Sequence, residues 1–367
     1  MKASSTRTNS IMIMLLLCIS GVLSHRCETY INYFQNYECV DKNGIPFASG
    51  AFEQAFRVKD KQSQKMAIMK LPILSTNAQY SNVELQIMQT FNGEDNIIQL
   101  LGSQKTGFMT IKLIEYAENG DLKSYLEKHK NISYKDILTI FRGVANGIKN
   151  MHDKNYAHLD LKLENVVLMD DLTPKLIDFG LSNQVGQYGV TRGTPIYLPF
   201  EMFNMNRVKF TKEMDMYSLG ILLYEMVYKG EKIPFYENMQ DLLLSKTHGV
   251  YIVHKGMPTE ILDIINHLFL RDPEERININ QLLNKVDKAI QDNAFTEIKY
   301  DGYYGEEGDY RGMVFSKPFL LCYDFLVQVI LVLVMVYVVY NKYNILHSNK
   351  QQGFETELET EVGSDLA

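Results

Sequence analysis

Four cysteines in 367 residues are too few for a disulfide scaffold. No CxxC pair and no His/Cys group at zinc spacing is present. Positive charge is also short, with 37 Lys and Arg against 44 Asp and Glu and a formal net charge of −7. Neutralising a phosphate backbone needs a basic face, so nucleic acid is not expected as a partner. No repeat at solenoid periods is visible. What is there is 46% apolar and 22% charged residues, the balance of a packed globular chain.

Two apolar runs bear on the compartment. Lys2 and Arg7 precede an apolar run from Ile11 to Ile19, continued by Gly21, Val22 and Leu23 and ended by Ser24. A basic start, a short apolar core and small residues at a cut predict a signal peptide over residues 1–24. As a retained anchor this run would span only about 20 Å of a hydrocarbon core of about 30 Å. The second run, Phe319 to Tyr340, would be about 33 Å long as a helix. Its 15 Phe, Leu, Ile and Val residues contribute roughly −5 to −9 kcal/mol to insertion, against at most about 3 kcal/mol for Asp324. A transmembrane helix through the lipid bilayer is therefore expected at 319–340, followed by an acidic, disordered tail at 341–367.

Flanking cations barely discriminate orientation, with Arg311 and Lys317 before the span and Lys342 and Lys350 after it. Orientation rests on the signal peptide, which places the globular part in the lumen or outside the cell. A retained N-terminal anchor would leave it cytosolic. Cys27 and Cys39 could pair in an oxidising compartment. Asn131-Ile132-Ser133 is an N-glycosylation acceptor pattern. Ser133 with Asp136 also resembles a capping box ahead of a helix.

Between about Tyr37 and Asp292 the pattern changes once. Ala55 to Val58, Met66 to Leu71 and Ile97 to Leu101 read as strands, with a helix near Ser81 to Thr90. After Asp121 helical spacing dominates. Ile137, Leu138, Phe141, Val144, Ala145, Ile148 and Met151 share one face. Met214 to Tyr228 is apolar nearly all round, which predicts a buried helix, and Ile261 to Leu270 predicts another. A small strand-rich lobe therefore precedes a larger helical lobe, an α+β arrangement.

The chemistry-bearing motifs are His158-Leu159-Asp160-Leu161-Lys162-Leu163-Glu164-Asn165 and, behind the strand-like Lys175-Leu176-Ile177, Asp178-Phe179-Gly180. In order and separation they resemble the catalytic-loop and metal-loop signatures of the eukaryotic protein kinase family. The resemblance covers residues 40–290 and implies a bilobal protein kinase fold over 37–292. It leaves 25–36 as an N-terminal extension and 293–318, with Tyr303, Tyr304 and Tyr310, as a juxtamembrane linker.

The resemblance also implies roles. Phosphoryl transfer from ATP to a protein hydroxyl needs positioning and charge neutralisation more than covalent chemistry. Asp160 would accept the hydroxyl proton, and Lys162 would neutralise the γ-phosphate. Asn165 and Asp178 would hold Mg²⁺, a hard cation that prefers oxygen ligands. Gly180 would permit the turn that aims Asp178. Lys70, in Ala67-Ile68-Met69-Lys70, would contact the α- and β-phosphates, with Glu84 as its ion-pair partner. Glu115-Tyr116-Ala117 resembles the adenine-binding hinge, with Glu115 and Ala117 contributing backbone groups and Ile114 gating the pocket behind. Glu201 and Arg276 would form a buried pair, and Asp215 would brace the catalytic loop.

The match departs from the family in two places. In the phosphate-covering loop, Phe47 to Ala55, only Gly50 of three expected glycines is present, and Glu53 puts a carboxylate where phosphate oxygens approach. Such a repulsion reaches about 4 kcal/mol at 4 Å and an effective dielectric near 20, so weak ATP affinity is expected. Leu159 replaces the arginine that receives an activation-loop phosphate, which leaves Tyr188, Thr191 and Thr194 with no obvious cationic receiver. Lys162 and Thr194 fit the Ser/Thr branch of the family, with Thr194 bridging Asp160 and Lys162. The expectation is a membrane-anchored Ser/Thr protein kinase. The alternative, motivated by Glu53 and the missing glycines, is a pseudokinase scaffold or receptor-like sensor with weak or no phosphoryl transfer.

Overall fold

The computed structural model describes residues 27–41, 45–49, 53–73, 78–107, 109–202, 207–233, 251–299, 301–305 and 308–309. The chain divides into two units, residues 1–309 and 310–367, and the described residues belong to the first. The expected signal peptide, the transmembrane helix, the tail and Gly50 lie outside the described residues. Among the described residues no helix is long and apolar enough to cross a membrane.

A short helix α1 (Cys27–Tyr30) precedes a six-stranded antiparallel sheet. Its strands are β1 (Tyr37–Cys39), β2 (Ala48–Ser49), β3 (Glu53–Asp60), β4 (Met66–Pro72), β5 (Leu100–Thr106) and β6 (Met109–Glu115). Their order is β1-β3-β4-β6-β5, with β2 beside β3. Helix α2 (Ala78–Thr90) follows β4 in the chain. The run from Ile97 to Leu101, expected as a strand, begins one only at Leu100. Ile97 makes a single parallel bridge to Leu176 instead, and the Ile98 N–H donates to the Leu176 carbonyl at 3.1 Å. Both isoleucines are buried there, so packing against the second lobe takes this segment away from the sheet.

Period-two alternation in β3 buries Phe56 and Val58, and in β4 it buries Ala67, Met69 and Leu71. With Ile111, Leu113 and Cys27 they form one small core, partly covered by Tyr30, Ile31 and Phe34. Cys27 and Cys39 are disulfide-bonded with their Cα atoms 6.1 Å apart, so the extension is stapled onto the sheet.

The larger lobe is built on α3 (Leu122–Lys128), α4 (Tyr134–Asp153), α5 (Lys212–Val227), α6 (Thr259–Leu268) and α7 (Ile279–Asp292). Ser133 caps α4, accepting from the Asp136 N–H at 3.1 Å. Asp136 takes the Ser133 hydroxyl rather than its backbone N–H, so only half of a capping box forms. The seven apolar positions read on one face of α4 are all buried. Helix α5 is buried almost all round, as expected of a central helix. Short pairs join the loops: β7 (Tyr156–Ala157), β8 (Val166–Leu168), β9 (Pro174–Leu176), β10 (Asn183–Gln184), β11 (Tyr188–Gly189) and β12 (Val208–Lys209), with β8 on β9, β7 on β10 and β11 on β12.

Residues beyond 292, read from sequence as a linker, continue the fold. The Ile298 N–H donates to the Met257 carbonyl at 2.9 Å, and the Gly256 N–H to the Ile298 carbonyl at 2.7 Å. Strand β14 (Gly302–Gly305) pairs with β13 (Tyr251–Val253) and with β15 (Gly308–Asp309), which sets Tyr304 opposite Tyr251. An exposed edge of β13 needs a partner, and acidic composition alone did not reveal this strand.

Candidate active site

The catalytic loop hangs from a buried carboxylate. Asp215, near the start of α5, accepts the His158 N–H at 2.8 Å and the Leu159 N–H at 2.9 Å. Its Oδ2 also lies 2.9 Å from His152 Nε2. Burial disfavours charge on Asp215, but His152, then His158 and the Leu159 N–H, outweigh it and hold the carboxyl below its ordinary value. Leu159 itself adopts a left-handed backbone (φ 65). Its side chain packs with Ala157, Met202, Val208, Phe210 and Met214, so an apolar cluster stands where the family has a phosphate-receiving arginine.

Asp160, the next residue, is the meeting point of the loop. Its Oδ2 lies 3.1 Å from Lys162 Nζ and 3.0 Å from Asn165 Nδ2. Lys162 Nζ also reaches Thr194 Oγ1 at 3.4 Å. Gly193 (φ 124) lets the backbone pass close by, since a Cβ there would lie 3.5 Å from Asp160 Oδ1 and 3.3 Å from the Leu159 carbonyl. The amide nitrogen of Asn165 is engaged with Asp160, which leaves its amide oxygen for a cation. The Asn165 carbonyl accepts the Ile177 N–H at 3.0 Å, tying this loop to the strand before Asp178.

At the turn, Asp178 itself adopts a left-handed backbone (φ 64). Aspartate tolerates that region better than most side chains. Phe179 is fully buried, with its ring 5.4 Å from that of His158. Burial of Phe179 leaves Asp178 on the side of Lys70 and Glu84, whose titrations both feel its charge. Asp178 and Asn165 thus offer two hard oxygens. That donor set suits a magnesium-sized cation that shares its shell with phosphates.

Lys70 and Glu84 are paired as expected, with Nζ 2.5 Å from Oε1. Burial opposes the charge of Lys70, but Glu53, then Glu84 and Asp178, outweigh it and hold its pKa above the ordinary lysine value. Glu53 lies 2.9 Å from Lys70. The sequence reading did not find Lys112, on β6, which is buried and bonded to both Glu53 and Glu84. A lysine inside the apolar run Ile111-Lys112-Leu113-Ile114 was the available signal, because a central-strand charge demands a partner.

At the hinge, the Glu115 carboxylate is committed to the Gln99 N–H at 2.8 Å and to Lys175 at 2.7 Å. Any adenine contact there falls to backbone groups of Glu115 and Ala117. Ile114 is buried behind them.

The segment after Asp178 is anchored at its end. Arg276 holds Glu201 in a bidentate pair at 2.7 and 2.8 Å. Tyr188 does have a cation nearby, since the Arg207 guanidinium lies 5.6 Å from its ring centre. Sequence distance hid that neighbour.

Below the catalytic loop, the Tyr197 hydroxyl donates to Glu225 of α5 and lies 3.4 Å from the Leu163 N–H. Burial pushes the Glu225 carboxyl up to about 7; the Tyr197 hydrogen bond pulls it down, Glu164 raises it and Lys123 lowers it. A carboxyl whose folded pKa is raised contributes stability that is complete below its unfolded pKa near 4.3 and is lost as pH rises through 7. Wild type should therefore lose on the order of 2 kcal/mol between pH 5 and pH 8 that Glu225→Gln does not lose. Denaturant titrations of both proteins at the two pH values check this, and parallel losses would refute it.

The family model described as "Protein kinase domain" matches residues 46–286. The chain is 28% identical over 276 residues to ephrin type-B receptor 3 of Xenopus laevis, covering 70% of this chain and 28% of that protein. It is 29% identical over 252 residues to the serine/threonine-protein kinase Nek5 of Homo sapiens, covering 64% of this chain and 34% of that protein. The chain thus spans about a third or less of the length of these curated relatives. With a matched domain covering more than half of its residues, this chain belongs to the protein kinase family, which works on ATP with a divalent metal.

Proposed function

We propose that this chain is a serine/threonine protein kinase that transfers the γ-phosphate of Mg-ATP to a protein hydroxyl. The observation that carries the reading is the contact set of Asp160, whose carboxylate meets both Lys162 and Asn165. Asp160 orients the acceptor hydroxyl and takes its proton. Lys162, between Asp160 and Thr194, places a cation beside the transferred group. That Lys–Thr pairing supports Ser/Thr over Tyr as acceptor. Lys70 grips the neighbouring phosphates. Asn165 and Asp178 would hold Mg²⁺, which neutralises charge developing on the phosphate oxygens.

One observation favours a binding-only scaffold or sensor. Glu53 sits on the ammonium that phosphates would need. A transfer assay separates the readings. The full-length chain in detergent, given labelled ATP, Mg²⁺ and a generic protein substrate, should yield phosphoserine and phosphothreonine. Asp178→Ala should lose the signal, and equal labelling by both proteins would favour the scaffold.

The same proposal places the kinase domain in the lumen or outside the cell, anchored through residues 319–340. The Cys27–Cys39 disulfide supports an oxidising compartment, and Asn131 is exposed. A glycosidase-sensitive mobility shift, abolished in Asn131→Gln, is the expected result. Cysteines 27 and 39 found reduced in the cell-derived protein would overturn it.

A further inference from the structure

Antiparallel register places Lys70 of β4 directly opposite Lys112 of β6. Cross-strand neighbours stand about 5 Å apart, and like charges so placed repel. Lys112 is fully buried and Lys70 largely so, its side chain 16% exposed, so the pair has little water to screen it. Two carboxylates complete a ring. Glu84 comes from α2 and touches both lysines. Glu53 comes from the start of β3, two residues before Ala55, the partner of Lys70. It also touches both lysines, at 2.6 Å for Lys112 and 2.9 Å for Lys70.

The two contacts of Glu53 are not equal. Oε1 accepts a hydrogen bond from Lys112. Oε2 is buried beside Lys70 yet has no hydrogen-bond partner. Glu53 is therefore hydrogen-bonded to Lys112 and ion-paired with Lys70. Glu53 is the first residue of β3, next in the chain to the phosphate-covering loop.

We propose that Lys112 is a positioning residue that keeps hold of the Glu53 carboxylate when a nucleotide phosphate replaces it on Lys70. The proposal rests on the reading of Lys70 as the phosphate-gripping residue. Phosphate oxygens entering beside Lys70 take the place of a carboxylate oxygen that is ion-paired but not hydrogen-bonded there, while Glu53 keeps its bond to Lys112. The two lysines balance Glu53 and Glu84, so an incoming phosphate meets a neutral ring rather than a net negative one. Without Lys112, both carboxylates would share Lys70, and the phosphates would meet uncompensated charge.

The test is a double-variant cycle read as Kd for Mg-ATP on the full-length chain, with thermal melts alongside. Glu53→Gln alone should change Kd less than about threefold, because Lys112 retains that carboxylate once phosphate takes Lys70. Lys112→Met should weaken binding at least tenfold. Adding Glu53→Gln to Lys112→Met should restore Kd to within about threefold of wild type, a recovery that a purely structural role for Lys112 would not produce. Wild-type Kd retained in Lys112→Met overturns the proposal, as does a folded double variant that still binds tenfold weaker. Should Lys112→Met alone fail to fold, the double variant decides: folding with near-wild-type Kd supports the proposal, and failure to fold overturns it by assigning Lys112 to Glu84. A wild-type protein that binds no Mg-ATP at millimolar concentration refutes the underlying kinase reading instead.

Discussion

Asp160→Asn should lower turnover by about 10²–10⁴-fold, the range lost when a positioned general base is removed. The asparagine oxygen can still accept from Lys162 Nζ, and the side chain keeps the shape that meets Asn165. What it cannot do is take a proton. The loss should therefore fall on kcat, with the KM for ATP moved far less, since Lys70 and its partners are untouched. Initial rates against ATP concentration measure both constants. An Asp160→Asn enzyme that retains wild-type kcat would remove Asp160 from the chemistry and leave positioning alone to explain transfer.

Arg276→Ala should destabilise the fold by about 3–5 kcal/mol, the usual cost of stranding one member of a buried ion pair. Arg276 is fully buried in its side chain. It donates to both Glu201 oxygens, to the Leu270 carbonyl at 2.7 Å, to the Glu213 carbonyl at 3.0 Å and to the Arg271 carbonyl at 3.3 Å. Its guanidinium lies 5.2 Å from the Tyr217 ring centre. One side chain thus ties α5, the loop before α7 and the end of the segment that follows Asp178. Arg276→Lys should recover little, because an ammonium cannot reproduce a planar fork aimed at several acceptors. A fall in Tm on the order of 10 °C is expected for a domain of this size. Calorimetry showing an unchanged Tm would mean Glu201 finds another partner or reaches water.

These two residues were legible for the same reason. Asp160 belongs to a contiguous motif that resembles the kinase catalytic loop, and its contacts with Lys162 and Asn165 are there. Arg276 follows the recognisable Arg271-Asp272-Pro273-Glu274-Glu275 run, and its partner Glu201 closes another motif. Helices α4 and α5 were legible because burial imposes a period, or the lack of one, on the apolar residues. Glu53 was read as a carboxylate facing phosphate, and it does sit beside Lys70. Its principal bond, to Lys112, was not foreseen.

The misreadings share a physical origin. Arg207 reaches the Tyr188 ring through the β11–β12 pairing. Residues 302–305 become a strand because β13 presents an open edge.

The kinase-like motifs and helical periodicity were enough to identify the kinase family and the paired Lys70 and Glu84, since each signal is carried by neighbours in the chain or by a helical period. Strand register was needed to reveal that Lys70 faces a second buried lysine and that Glu53 answers to that lysine first. Which charges share a cavity depends on which strands lie side by side, and residues 59 positions apart, Glu53 and Lys112, bear no mark of their meeting until the sheet has formed.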